Sequence, residues 1–388
     1  MLRPLIALFL LMSSQGCSDC ETCPAAKRES TSCCEAPPPE TSGDSKVLNG
    51  QKASTRPVDD QMTFVPAARA DVESMAAERA RETRVMIVSF DGLRPDAISA
   101  ENAPTIQALI DGGAYQSAGL AEIPAATLPN HASMVTGLSI LSHGVFVNVT
   151  IEGRIVHETI FDVARAHGVS SGFFANKTKL GYLCAEGDAD VRVITGDVDD
   201  IANECANAIR ERDLRLIFLH FGEPDGAGHS QGWMTAPYLT QVKRVDAAFS
   251  RVLDALAERE FRDETLLILT ADHGGHDKTH GFPIPEDQHV PFILNGPGIA
   301  SGRTLTNITR PMDAAATALA RLELPTASAR DGRDVAEARE DFTPDDNAGD
   351  DPAVMLGALC GPFPWMFLTL TLVGAHRLKR RAAQRRYS

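Results

Sequence analysis

Three short apolar runs in the middle of this chain each lead into an aspartate. Val85–Phe90 runs directly into Asp91, Leu216–His220 stops just before Asp225, and Leu266–Thr270 stops just before Asp272. Val290–Leu294 is a fourth run of the same kind. Runs of this length, rich in Val, Ile and Leu and without polar alternation, suit strands buried on both faces. Helical periods lie between them: Val242, Val245, Phe249, Val252, Leu253 and Leu256 fall on one apolar stripe. Strands alternating with helices predict an α/β fold, a mostly parallel sheet covered by helices on both faces. Ligands meet such sheets at the carboxyl ends of the strands. The three aspartates are therefore expected where chemistry happens.

The ends of the chain read differently. The 388 residues carry a formal charge of −15 and are 43% hydrophobic, enough for one large domain and too apolar for a disordered chain. The acidic balance argues against nucleic-acid binding, which wants a basic face. Residues 1–17 resemble an export signal: Arg3, the apolar stretch Leu5–Met12, then small residues before Cys17, a possible lipidation site. An ordinary cleaved signal or an uncleaved anchor is the alternative. Residues 18–82 are rich in Cys, Pro, Ser and Glu and predict a flexible stalk, with a helix possible over 71–84. Cys20, Cys23, Cys33 and Cys34 lie there, and oxidised pairs suit an exported stalk. Cys184 and Cys205 are a candidate pair inside the domain, expected to span 83–338. After an acidic linker, 339–353, the 22 residues Val354–Ala375 contain no Asp, Glu, Lys or Arg, enough to span a bilayer core. Six basic residues in the tail 376–388 suit a cytoplasmic end. The expected protein is exported and membrane-anchored, with its domain on the extracytoplasmic side. A sorting signal removed after export is the alternative reading of the C-terminal run.

The motifs follow the strands. Asp91 comes first; Asp225 and His229 lie four residues apart in EPDGAGHS; Asp272 and His273 sit in TADHGGH, with His276, His280 and His289 beyond. Mixed Asp/His sets suit divalent metals, and two sets suit two ions. One ion can polarise a phosphoryl oxygen while the other activates the attacking oxygen. Thr127, in PAATLPNHASMVTG, is the candidate nucleophile, because Pro129 and Ala132–Val135 mark a helix start there. A hydroxyl at a helix N-terminus faces the positive end of the dipole, and metal coordination would lower its pKa. Taken singly, a strand-end Asp is often a cap and a Thr before Leu-Pro a turn residue. Together and in this order they specify much more.

The chain resembles the alkaline phosphatase superfamily and, within it, the type I phosphodiesterase/nucleotide pyrophosphatase family. The resemblance is carried by VMIVSFDGLRPD, APTIQALIDGGAY, TLPNHASMVTGLSILSHGVFVN, FGEPDGAGHS, LTADHGGHDKTHG, VPFILNGPGI and DGRDVAEA. It implies a hydrolase with two metal ions, zinc being expected. Asp91, Asp272 and His273 would hold one ion, touched by Thr127, and Asp225, His229 and His280 the other. His276 and His289 rival His280 for the last place. Asn148 matches the residue that helps hold a phosphoryl oxygen, and Lys177 or Lys179 is a candidate contact for a substrate anion. The large insertions that shape the pocket of the better-known nucleotide pyrophosphatases are missing, so nucleotide specificity does not follow. TLPNH also lacks the Cys/Ser-x-Pro-x-Arg that sulfatases need.

The function expected is cleavage of phosphate diester or pyrophosphate bonds through a phosphothreonine. The alternatives are phosphomonoester or phosphonate hydrolysis, or a silent, surface-displayed binding domain. The pocket is expected to be walled by loops such as Val149–His157 and Cys184–Cys205.

Overall fold

Seven consecutive buried residues, Arg84–Phe90, form the central strand β1. The computed structural model describes residues 83–325 and 329–343. Chain order continues with β2 (Ala114–Leu120), β3 (Ser171–Ala175), β4 (Val191–Ile194), β5 (Leu216–Phe221), β6 (Thr265–Thr270), β7 (His289–Asn295) and β8 (Arg303–Thr304). They make one sheet in the order β4-β3-β5-β1-β6-β7-β2-β8. All neighbours are parallel except β7, which runs antiparallel to both β6 and β2. The sheet is mostly parallel, as the apolar runs predict. Strands β2, β3, β4 and β8 carry too little uniform apolar character to be read from sequence. The fourth predicted run is β7, whose antiparallel direction no local pattern reveals.

The helices are α1 (Pro104–Asp111), α2 (Thr127–Thr136), α3 (Ile140–His143), α4 (Ile160–Ala166), α5 (Val198–Glu211), α6 (Asp225–Gln231), α7 (Ala236–Glu258), α8 (Pro285–Gln288) and α9 (Asp313–Arg321). Side chains of β1 alternate between two cores. Met86, Val88 and Phe90 meet α1, α5 and α7, whereas Val85 and Ile87 share a core with α2, α4 and α9. The predicted stripe of α7 lies in the first core, with Leu253 at its partly buried margin.

This layering corrects one expectation. Cys184 and Cys205 are both free and buried. Cys205 belongs to the α1/α5/α7 core and Cys184 to the other, so the sheet separates them. The helix expected over 71–84 also cannot reach its predicted end, because Arg84 opens β1.

Among the described residues no helix is long and apolar enough to cross a membrane. The predicted span 354–375, the export signal with Cys17, the stalk 18–82 and the basic tail lie outside the described residues. The predicted linker is described only at its start, where Arg339 bridges Ile299 and the Glu340 N–H donates to the Gly298 carbonyl.

Candidate active site

Strands β5, β1 and β6 are adjacent and parallel, so the residues that follow them emerge side by side. Asp91 follows β1 directly, Asp225 opens α6 beyond β5, and Asp272 lies just past β6. Backbone bonds knit these turns together. The Asp91 N–H donates to the Phe221 carbonyl at 2.9 Å, and the Asp225 N–H to the Asp91 carbonyl at 3.0 Å. The Gly92 N–H donates to Asp272 Oδ1 at 3.1 Å. Gly92 sits at φ 71°, and a Cβ there would lie 2.9 Å from the Asp225 Cβ. Only glycine lets the β1 turn and the start of α6 come this close.

Asp91 also gathers with His131 and His220, but the predicted ligands form two donor sets. Ligand-type atoms of Asp91, Asp272 and His273 gather within 4.8 Å of one another, and so do those of Asp225, His273 and His280. His229 Nε2 is 3.4 Å from Asp225 Oδ1, and His280 Nε2 is 3.8 Å from the same oxygen. The rings of His273 and His280 stack at 3.6 Å. Of the histidines the sequence left competing, His276 bonds Asp287 through Nδ1 at 2.7 Å. His289 lines a separate cavity of about 370 Å³ with Arg94, Asp96 and Glu286. His280 is the one gathered with Asp225.

The decisive feature is what these groups lack. Asp91 Oδ1, Asp225 Oδ1, Asp272 Oδ2 and His273 Nε2 are buried without a hydrogen-bond partner. Buried polar atoms are paired in nearly every folded protein, and orphans need an explanation. Four orphans converging from both sets fit divalent metal ions. The remaining carboxylate oxygens are occupied. Lys177 Nζ lies 2.8 Å from Asp91 Oδ2 and 2.6 Å from Asp225 Oδ2, and His220 Nε2 lies 3.0 Å from Asp91 Oδ2. Each carboxylate is thus turned so that its free oxygen faces the cluster.

The electrostatics follow. Burial would raise Asp91, but Lys177 and the His220 bond hold it well below the ordinary carboxylate range. Burial and the nearby Asp91 charge raise Asp272. Burial would depress Lys177, yet Asp91, Asp225 and Asp272 hold it above its ordinary value. Burial and the neighbouring His273 push His280 down to about 4, which keeps it in the neutral form a metal ligand requires.

Thr127 is the first residue of α2 and is buried. Asn148 Oδ1 accepts from the Leu128 N–H at 3.0 Å and from Lys179 Nζ at 2.9 Å. The two predicted lysines thus separate: Lys177 joins the carboxylates and Lys179 joins Asn148. Around the loop of Asn148, Phe146, Val147 and Val149 are exposed and give it an apolar rim.

Sequence reasoning missed three supporting residues. His131, four residues into α2 from Thr127, reaches the Thr127 carbonyl through Nδ1 at 2.7 Å and Ser89 Oγ through Nε2 at 2.8 Å. That Nδ1 also lies 3.5 Å from Asp272 Oδ2, tying the helix start to the strand-end carboxylate. His220, the polar residue within the apolar run of β5, was visible as an anomaly. Trp233 gave no signal beyond the glycines around it. Its ring fills the space a Cβ would need at Gly228 and Gly275, and its Nε1 donates to the Gly92 carbonyl at 3.0 Å. Ser133, His143 and Glu122 form a second polar cluster with the wrong polarity for catalysis. The Val145 N–H donates to His143 Nδ1, so Nε2 carries the proton, and Ser133 donates its own to Glu122.

A profile of the type I phosphodiesterase/nucleotide pyrophosphatase family matches residues 85–284, which include every residue of both donor sets. The chain belongs to this family. Its sequence is 27% identical over 242 residues to human ectonucleotide pyrophosphatase/phosphodiesterase family member 7, covering 54% of this chain and 51% of the relative. Human family member 1 is 26% identical over 222 residues, 49% of this chain and 23% of the relative. The chain spans about half the length of the family member 7 relatives it matches. Human ectonucleotide pyrophosphatase/phosphodiesterase 5 shares the fold with a TM-score of 0.58 at 14% identity, over 66% of this chain and all of that one. A phosphonate monoester hydrolase of Agrobacterium radiobacter does so with a TM-score of 0.54 at 18% identity, over 68% and 78%.

Proposed function

We propose that this domain hydrolyses phosphate esters by passing the phosphoryl group through Thr127. Family membership favours diesters and pyrophosphates. The observation that carries the reading is the set of four orphaned buried donor atoms at the ends of three adjacent strands. Asp91, Asp272 and His273, with Thr127, would hold one divalent ion, and Asp225, His229 and His280 the other, zinc suiting this Asp/His donor set. When bound, such ions supply Lewis-acid polarisation of a phosphoryl oxygen and lower the pKa of an attacking oxygen.

The chain's own residues do the rest. Thr127 Oγ1 gives up its hydroxyl proton to solvent and forms a bond to phosphorus as the bond to the leaving oxygen breaks, and that oxygen takes a proton from solvent. Water then attacks the phosphothreonine, releasing the phosphate product and returning the threonine hydroxyl. Asn148, with its oxygen held by Leu128 and Lys179, turns its amide nitrogen to a phosphoryl oxygen. His131 holds the Thr127 turn, and Lys177 with His220 fixes the carboxylates. Extracytoplasmic placement belongs to the same proposal and rests on residues 1–17.

The test compares an aryl phosphodiester with the matching monoester, using the full-length zinc-loaded chain and Thr127→Ala as control. Turnover that disappears in the variant while metal content stays supports the reading. Two bound metals with no turnover of either ester, or of a phosphonate, would favour the silent binding domain.

A further inference from the structure

We propose that Asp287 is a positioning residue for the second metal ion: its buried carboxylate clamps both ends of the loop that carries His280 and orients His229. The inference rests on the two-ion reading above and goes beyond it, because Asp287 belongs to neither donor set.

The two sets are supported differently. Asp91, Asp272 and His273 follow strand ends directly and are fully buried. His229 stands one turn along α6 with its side chain 48% exposed, and His280 lies in the loop well beyond β6. A histidine ligand is aimed by the bond its other ring nitrogen makes. His229 Nδ1 donates to the Lys278 carbonyl at 3.1 Å, and His280 Nδ1 to the Ala125 carbonyl at 2.7 Å. Both leave Nε2 on the side of Asp225 Oδ1. The loop 276–282 therefore supplies one ligand of the second set and orients another.

That loop has little support of its own. His276 and Thr279 exchange one pair of backbone bonds, at 3.0 and 2.9 Å. Asp277 between them holds a left-handed φ of 45°. Asp287 closes the loop from outside. It is fully buried; Oδ1 accepts from His276 Nδ1 at 2.7 Å, and Oδ2 from the Phe282 N–H at 2.8 Å. Both carboxylate oxygens are thus spent on the two ends of one loop. The backbone of α8 braces the stretch before it, where the Gly274 and Gly275 N–H groups donate to the Asp287 and Glu286 carbonyls at 2.8 and 2.7 Å. Those bonds survive a change of the Asp287 side chain, so His273 keeps its place while the loop beyond it loosens. Ordering a loosened loop is then subtracted from the binding of the second ion.

The experiment reads metal affinity and needs no turnover. The full-length chain is stripped with a chelator, and zinc is titrated back calorimetrically against a competing chelator. Wild type takes up two ions. Asp287→Ala weakens the second about a hundredfold, and Asp287→Asn, which keeps one acceptor, about tenfold, the range lost with an outer partner of a metal-binding histidine. Affinity for the first ion is unchanged. His276→Ala also weakens the second ion, and His276→Gln, which keeps a donor toward Asp287, retains most of the affinity. His280→Ala, which removes a ligand of the second set, weakens the same ion. Near-ultraviolet circular dichroism of the metal-free forms verifies the fold. If Asp287→Ala fails that check, Asp287→Asn and the two His276 variants are read in its place. Equal weakening of both ions, or a second ion bound as in wild type, overturns the proposal. Wild type that binds one ion or none refutes the two-ion reading itself, and this proposal with it.

Discussion

Removing divalent metal should cost this protein a substantial part of its thermal stability. Asp91 and Asp272 are fully buried, with ligand atoms no more than 4.8 Å apart. Two like charges at that distance repel by about 3.5 kcal/mol at an effective dielectric constant near 20. Lys177 offsets part of this, but it is shared with Asp225. A divalent ion on the orphaned oxygens removes the repulsion, and the chelated protein regains it. For a domain of this size about 1 kcal/mol shifts Tm by roughly 2–4 °C, so the full repulsion sets an upper bound of about 7–14 °C, and chelation should lower Tm by several degrees. Scanning calorimetry of the full-length chain, first stripped with a chelator and then reloaded with zinc, reads this directly. Asp272→Asn is the internal control. It removes one charge and one ligand together, so its metal-free form should melt no lower than metal-free wild type, and zinc should raise its Tm much less. Equal melting of stripped and reloaded wild type, with zinc content verified, would refute the reasoning.

Two further perturbations probe the frame around the site. Gly92→Ala forces a left-handed φ at a cost of roughly 1–2 kcal/mol and presses a methyl group against Asp225. It should lower both Tm and bound metal, and a variant equal to wild type in both would contradict the role given to this turn. His143 tests the buried polar cluster beside α2. Burial, with the nearby His157 charge, pushes it down to about 4 from an ordinary 6.5. A depressed histidine stays neutral in the folded protein while the unfolded chain takes up a proton. Its contribution is therefore intact above pH 6.5 and declines as pH falls from 6.5 toward 4. Tm should fall across that window, and less steeply in His143→Gln. Parallel Tm profiles would show that His143 is not the group responsible.

How far the sequence announces this arrangement depends on range. The central strands β1, β5 and β6 are legible because burial on both faces demands continuous apolar runs. The residues after them were candidates because strand ends are where such sheets bind ligands. Edge strands such as β4, half-buried along its length, lack that signature. Cys184 and Cys205 looked like a pair by count alone, and only the sheet between them decides otherwise. Lys177 and Lys179 were indistinguishable as two lysines in one loop. Their difference arises from long-range partners, Asp91 and Asp225 for one and Asn148 for the other. Trp233 was invisible for the same reason, since its slot is made by two glycines far apart in sequence, Gly228 in α6 and Gly275 in the loop after β6.

The central claim is that phosphate passes through Thr127, and one measurement addresses it without any assumption about the natural substrate. The zinc-loaded chain is mixed with excess aryl phosphate ester, quenched in acid within the first turnovers, digested and examined by mass spectrometry. The account predicts one added phosphoryl group on the peptide containing Thr127, located at that residue and missing in Thr127→Ala. Rapid turnover with this peptide unmodified at every quench time, or the phosphoryl group on another residue, would contradict it.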